Sequence, residues 1–531
     1  MHPPNVIVVG AGPVGCTAAL LLADYGIPVT VLERHSRPHP LPRAVHLDDE
    51  VTRTLHRVGV GEAFLAGSRP GHGLRLLDAG HRVMAEFRRE PQVPDSGFPG
   101  ATMFHQPDLE ALLLDRIHRH PLIELHRGIE ARVIDGVHDS LTSPPVRVRT
   151  RAAADEAART FTGSLLLGCD GANSTVRRLL GVDMQDLRFT ERWLVVDVRA
   201  AAPLDTWDGV EQICDPRRAA TFMHVTGDRY RWEFQLHDGE DETDLIAVLG
   251  PLLRPWTGRT DLAGLEVIRT AVYTFRARLA TDFRSGRAFL LGDAAHLTPP
   301  FIGQGLAAGI RDADNLAWKI AHVLTGRAGP GLLATYHSER RPHARALIHR
   351  ARAVGWAMTG GQDTAAAARR LALAAAVRSR RVREAVASTA TPRLRTGALD
   401  RTPALSRPPR SLRVGALIPN PAVCLPDGKQ LRLDELLDGA TAILTARDPE
   451  PELVDLCHRS GITLVHVTRA GAGTADSPWV DVHLPPDCAT GLQGLVDDPS
   501  LTVLVRPDRA IAAVATRSRL PRLPWTTLER S

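Results

Sequence analysis

Lysine is almost missing from this chain. It occurs twice in 531 residues, at 319 and 429, although lysine and arginine together number 65. Positive charge therefore rests on arginines spread along the chain, and the net charge is only +5. No basic run is interleaved with aromatics, so nothing favours a nucleic-acid partner, and the dispersed arginines read as solvated surface. Cysteine is also scarce. Cys16, Cys169, Cys214, Cys424, Cys457 and Cys488 form no CxxC and no metal-type spacing, which excludes a thiolate metal centre and a disulfide framework and suits a reducing, cytoplasmic compartment. Long apolar runs are missing too. A membrane span needs about 20 continuous apolar residues. The apolar N-terminal stretch is broken by three glycines, is followed by Asp24 and has no basic leader, so neither a span nor a targeting segment is expected. No internal repeat is evident. The apolar fraction of 44% and charged fraction of 24% are those of an ordinary globular protein, and the length predicts two or three domains.

The chain is organised around Val6–Gly15. Val6 to Val9 read as a short buried strand running into Gly10-Ala11-Gly12-Pro13-Val14-Gly15. Ala18 to Ala23 read as a helix and Val29 to Glu33 as a second strand. In this βαβ unit Gly10 permits the tight turn, Gly12 lets backbone approach a pyrophosphate, and Gly15 lets helix pack on strand. Free N–H groups at the helix start attract phosphate oxygens. Glu33 follows Gly15 by 18 residues, close to the distance of about 20 for an acid that accepts from a ribose hydroxyl. The whole unit predicts dinucleotide binding; the glycines alone would be a weak signal.

Further along, His35–Ala44 reads as a Pro-rich loop and Asp48-Asp49-Glu50 as a helix start. Arg43 either contacts an anionic cofactor or sits in solvent. Gln106 stands just ahead of a helix with Pro107 in its first turn, either reaching a ligand or capping. Leu165–Gly168 is a strand ending near Asp170-Gly171, where ligands bind open α/β sheets; a plain strand–turn–helix connection is the alternative. From 183 to 275 the pattern becomes strand-like. Alternation in Arg231–Leu236 puts Trp232, Phe234 and Leu236 on an apolar face and Arg231, Glu233 and Gln235 on a polar one, which faces either solvent or a polar cleft. Thr221–Val225 precedes it across a Gly-Asp hairpin. A strand ending at Gly292-Asp293 then runs through Pro299-Pro300-Phe301 into Gly303-Gln304-Gly305 and a helix, whose dipole favours negative charge placed there. His296 reads as a hydrogen-bonded structural histidine. Residues 362–395 read as helix, 396–412 as a Pro-rich linker, and Ala442–Leu444, Thr463–Val467 and Leu501–Val505 as strands of a smaller α/β domain.

These motifs together resemble the class A FAD-dependent aromatic hydroxylases. Gly10-x-Gly12-x-x-Gly15 with Glu33, Cys169-Asp170-Gly171 with Ser174 and Arg177, and Gly292-Asp293-Ala294-Ala295-His296 with Pro299-Pro300 and Gly303-Gln304-Gly305 carry the resemblance, over residues 1–355. Pro42-Arg43-Ala44, Asp48-Asp49-Glu50, Arg231–Phe234 and Gly309–Asp312 look most like the 3-hydroxyphenylpropionate hydroxylase branch. The tail resembles the thioredoxin-like domain of phenol-hydroxylase relatives, without the CxxC that thiol chemistry needs. The implied fold is α/β: a Rossmann-type FAD-binding domain (1–182 and 276–395), an inserted sheet-rich substrate domain (183–275), a linker (396–412) and a thioredoxin-like domain (413–531).

The resemblance implies that Gly10, Gly12, Pro13, Val14, Gly15, Glu33 and Arg34 serve the ADP half of FAD, that Asp293 after Gly292 holds the ribityl chain or pyrophosphate, and that Pro300 and Gly303 to Ala307, with Gln304, Gly305 and Leu306, face the flavin. Arg43, Gln106 and Asp170 also serve the cofactor. Family members often carry Asn where this chain has Ala307, so any contact there is through backbone. Met223, Gln235, Pro299 and Phe301 are expected at the substrate, and His46, Arg231 and Glu233 are the candidates for the catalytic face. The implied reaction uses NADH or NADPH and O₂ to hydroxylate a phenolic or polyketide-like ring through a flavin 4a-hydroperoxide, with no metal and no membrane; a homodimer is left open. Another flavin reaction on a polyketide or antibiotic scaffold, or a non-catalytic flavin-binding protein, are the alternatives. The WxWxIP motif of a halogenase is missing.

Overall fold

Short, wholly apolar strands form the centre of the molecule because both of their faces are covered. The computed structural model describes residues 4–38, 43–89, 95–152, 159–215, 217–359, 379, 391–402, 408–469, 477–485, 491–516 and 522–525. Its first sheet has six strands in the order Arg284–Ser285, Ala288–Leu290, Leu165–Gly168, Val6–Val9, Val29–Glu33, Ile123–Arg127. All neighbours are parallel except the first pair. Val6, Ile7, Val8, Leu165, Leu166 and Ala288 are completely buried. The helices Pro13–Asp24 and Gly305–Leu324 pack over this sheet and against each other. Both begin where the chain leaves the carboxyl ends of the strands, which is where open α/β sheets bind ligands.

The second large sheet has eight strands, mostly antiparallel, and two of them are unusually long: Met184–Ala200 and Leu265–Ala280. Arg229–Leu236 lies between the first of these and Ala220–Thr226. The alternation predicted there holds: Trp232, Phe234 and Leu236 enter an apolar core with Phe222, Tyr230 and Trp256. This sheet is not drawn from 183–275 alone. Gly73–Leu77 and Val83–Arg88 extend it through a parallel pairing with Val210–Ile213, and it runs on to Ala280 and His296–Leu297. Two helices, Glu242–Ala247 and Leu249–Thr257, interrupt the strand pattern. A small sheet of His46–Asp48, Ala101–Met103 and Arg69–Pro70 lies against Ala220–Thr226 of the second sheet and against the helix Gly305–Leu324.

The helix expected at 362–395 lies almost entirely outside the described residues. The described parts of 396–412 are anchored rather than free: the Ala398 N–H donates to Glu339 and that of Asp400 to the Ala512 carbonyl. Beyond them a seven-stranded sheet contains all three strands expected there, with Ala442–Thr445 parallel to Thr463–Thr468 and antiparallel to Leu501–Val505. A buried ionic cluster fastens this unit to the helix Gly305–Leu324. Arg506 binds Glu339 and Asp508, Lys319 binds Glu339 at 2.8 Å, and Asn315 donates to both acids. Each buried charge has an opposite partner, the condition under which such groups are tolerated. No described helix is long and apolar enough to cross a membrane.

Candidate flavin and substrate site

Each glycine of the first turn meets a different environment. Gly10 has φ +108°, and a Cβ there would lie 2.4 Å from the Cys169 carbonyl oxygen. A Cβ on Gly15 would lie 1.9 Å from the Gly10 oxygen, so this residue permits close helix–strand packing. A Cβ on Gly12 would meet no protein atom within 4 Å. Gly12, Pro13 and Val14 instead line a cavity of about 810 Å³. Gly303, Gln304, Gly305 and Leu306, at the start of the second helix, line the same cavity. Gly303 sits at φ +61°, and Gly305 again has open space before it. Two helix N-termini thus present unpaired N–H groups to one space.

Asp293 faces this cavity, where surrounding protein pushes its carboxyl pKa up, opposed by His296 and Arg43. Gln106 is the first residue of its helix and does not cap it. Its Oε1 accepts from the N–H of Arg43 and of Ala44, at 3.1 and 2.6 Å, while its Nε2 donates to Glu110. Gln106 therefore fixes the segment that carries Arg43 to the cavity wall. His296 is the structural residue expected: fully buried, it binds Asp312 at 2.7 Å, which also accepts from the Gly292 N–H and from Arg340.

The opposite wall comes from the eight-stranded sheet. Leu74, Phe87, Met223 and Trp193 make it apolar, joined by Met103 from the small sheet, with Phe301 edge-on to Trp193. On the polar face of Arg229–Leu236, Arg231 and Glu233 turn to this cleft, not to solvent. Arg231 is spent on structure: its guanidinium holds Asp197 at 2.7 and 3.2 Å and donates to the Arg43 carbonyl. Glu233 lines the cavity, and burial pushes its carboxyl above the usual range, with Arg231 opposing. His46 lines it too. Burial, then nearby Arg89, pull its imidazole down to about 4, so the ring is neutral at physiological pH. Its Nδ1 lies 3.5 Å from the Gly303 carbonyl oxygen, and its Nε2 has no partner among the described residues.

The cavity does not gather every expected residue. Gly10, Gly15 and Gly292 stand behind the wall as backbone supports, and Pro299 is buried off it. Ala307 is fully buried within its helix, and Leu306 takes the lining position. Gln235 lies outside the cavity, and Arg34 is exposed and contacts His35. The carboxylate of Glu33 accepts from the N–H of Ala11 and of His35, both at 2.8 Å. That of Asp170 accepts from Ser174 and from the N–H groups of Thr175 and Val176, so it caps a helix; Cys169, Gly171 and Ala172 line the cavity beside it. Conversely, Arg89, Met103, Trp193, Gln212 and Tyr273 line the cavity without having been singled out. The strands that carry them, or that end just before Arg89, hold no motif, and only sheet pairing turns them inward.

This fold defines a dinucleotide-binding protein whose cavity extends to an apolar sheet wall. A model of the FAD binding domain matches residues 4–351 and one of the HcaD C-terminal domain matches 415–530. The chain belongs to the FAD binding domain family, among the FAD-dependent aromatic hydroxylases. It is 36% identical to a 3-(3-hydroxy-phenyl)propionate/3-hydroxycinnamic acid hydroxylase of Mycobacterium sp. (strain KMS), over 97% of this chain and 89% of that one. It is 34% identical to a probable NADH-specific resorcinol 4-hydroxylase of Rhodococcus jostii, over 69% and 67%. Among solved structures, the flavin-dependent monooxygenase PieE, in complex with FAD and substrate, shares the fold with a TM-score of 0.79 at 23% identity, covering 99% of this chain and 98% of that one. The residues present fit FAD: the open spaces before Gly12 and Gly305 lie at two helix N-termini on one cavity, as a pyrophosphate and an electron-rich ring edge require. Among the described residues no cluster fits a metal ion.

Proposed function

We propose that this enzyme uses NADH or NADPH and O₂ to hydroxylate a small phenolic acid or a related phenol. The observation that carries the reading is the placing of Glu233, a carboxyl with a raised pKa, on an apolar wall facing two open helix N-termini across one cavity. The chemistry FAD supplies when bound is acceptance of a hydride and activation of dioxygen.

The chain's own residues bind, orient and move a proton. Gly12, Pro13 and Val14 would hold the pyrophosphate, and Asp293 would hold the ribityl chain or the pyrophosphate. The N–H groups of Gln304 to Leu306, at the start of their helix, would face the electron-rich ring edge, while that of Gly303 is already given to the Pro300 carbonyl. The apolar wall of Phe87, Met103 and Met223 excludes water from the reacting ring. Glu233 takes the phenolic proton, which enriches the ring for attack on oxygen; its raised pKa suits a base better than that of His46. His46, neutral, accepts or donates a hydrogen bond through Nε2. Arg231 positions Arg43. The C-terminal unit, read as thioredoxin-like, serves the fold and not thiol chemistry. Cys16, Cys169, Cys424 and Cys457 are free thiols, which suits a cytoplasmic setting. A homodimer is part of the same proposal, and light scattering decides it.

The test is direct. The purified protein should carry FAD, and a phenol should accelerate nicotinamide oxidation with stoichiometric hydroxylated product. Oxidation that no phenol or polyketide accelerates, with no product, would reject the reading.

A further inference from the structure

We propose that Arg89 selects the substrate by binding a carboxylate that it carries. The inference rests on reading the cavity as the hydroxylation site and adds what that site recognises.

Arg89 directly follows the strand Val83–Arg88, and its own N–H donates to the His72 carbonyl at 2.9 Å, which fixes where the side chain begins. The side chain lines the cavity beside Phe87, Leu74 and Met103. Its Nε is buried with no partner among the described residues, and Nη1 reaches the Gly71 carbonyl only at 3.5 Å. It forms no ion pair with a carboxylate among the described residues. Several other arginines of the interior differ. Arg231 grips Asp197, Arg311 grips Asp48 and Glu50, and Arg340 grips Asp312.

Burial pulls the Arg89 pKa below its usual value, with Asp48 and Asp49 opposing at a distance, but a guanidinium stays charged near neutrality. A charge in this position, with donors unmet, is compensated once an anion arrives. His46 Nε2 is a second unpartnered polar atom on the same cavity. Apolar side chains surround both. A ligand that suits this wall has a flat apolar body and a planar anionic end, and a carboxylate matches the guanidinium fork.

The test uses the FAD-loaded enzyme and equilibrium binding, read from the perturbation of flavin absorbance with no nicotinamide present. The probes are 3-(3-hydroxyphenyl)propionate and its carboxamide. The wild type should bind the acid at least about tenfold more tightly than the amide, as a charged hydrogen bond predicts. Arg89→Gln should bring that ratio to about one, and Arg89→Lys should keep part of it. Arg88→Gln, at a side chain 69% exposed, should leave the ratio and turnover unchanged. Equal binding of acid and amide by the wild type, or an undiminished ratio in Arg89→Gln, overturns the proposal. If Arg89→Gln does not retain FAD, the wild-type pair and Arg89→Lys decide. Selective binding of an acid that is never hydroxylated would sink the hydroxylase reading and leave Arg89 as an anion site. Turnover of neutral phenols without preference for acids would do the reverse.

Discussion

Arg311 donates to Asp48 at 2.6 Å and so ties the helix facing the flavin cavity to the helix that starts beside His46. The same guanidinium reaches Glu50 at 2.6 Å and Gln304 at 3.0 Å, and Gln304 in turn donates to Asp48 at 2.8 Å. Asp48 is completely buried, and Arg311 holds its carboxyl below the usual range despite burial. Arg311→Met leaves that carboxylate without its cation. The expected cost is about 3–5 kcal/mol of stability. FAD affinity should fall with it, because Gln304 and the N–H groups after it lose their support. Thermal unfolding and FAD titration measure the two effects. An unchanged melting temperature would contradict the ascribed role.

Gly12 and Gly15 stand three residues apart and should respond oppositely. A Cβ at Gly12 meets no protein atom, and its φ of −77° suits any residue. Gly12→Ala should keep or raise apoprotein stability by up to about 1 kcal/mol and weaken FAD binding, because the methyl occupies the ligand's space. Gly15→Ala drives a Cβ to 1.9 Å from the Gly10 oxygen and should destabilise the apoprotein itself. Denaturation of the two apoproteins, set beside FAD titration, separates a ligand-facing glycine from a packing glycine.

The first turn was readable because its glycines answer to backbone geometry, which is local. The alternation in Arg231–Leu236 was readable for the same reason: a period of two fixes which face is apolar. Local pattern could not say where the polar face looks. That depends on Met184–Ala200 supplying Asp197, and on Arg43, far away in sequence, arriving beneath Arg231. Asp170 and Glu33 show the limit from the other side. A carboxylate at a strand end suits a ligand and suits its neighbours' N–H groups equally well, and sequence position does not distinguish the two. Arg89 carried no signal, since a pairing of two short strands before residue 90 with a sheet built mainly after residue 183 creates its position.

Glu233→Gln should lower turnover of a phenol by about 10²–10⁴-fold with little change in FAD content. The sign of the pH dependence follows from the raised pKa. The carboxyl is protonated, and idle as a base, up to a pH above its ordinary 4.5, so wild-type kcat/KM should climb as pH rises through that range. The variant should lose this climb. His46→Ala should not, because a ring with a pKa near 4 is already neutral across it. If the climb vanishes in His46→Ala and persists in Glu233→Gln, the two roles are exchanged.

Asp49 offers a pH effect on stability that is separate from catalysis. It lies between Asp48 and Glu50, and burial first, then these two charges, push its carboxyl up to about 7 from 3.8. Between those values the folded protein holds a proton that the unfolded chain has released. Stability therefore falls as pH rises from about 4 to about 7, and the loss is complete above that. Asp49→Asn removes the ionisation but keeps a group able to hydrogen-bond Ser96, the partner that opposes the shift in Asp49. The variant should match the wild type near pH 4 and exceed it at pH 8 by on the order of 2 kcal/mol, allowing for partial exposure. Denaturant unfolding at the two pH values measures the difference. A gain that is equal at both would trace to packing, because only an ionisation confined to the folded state makes the advantage grow with pH.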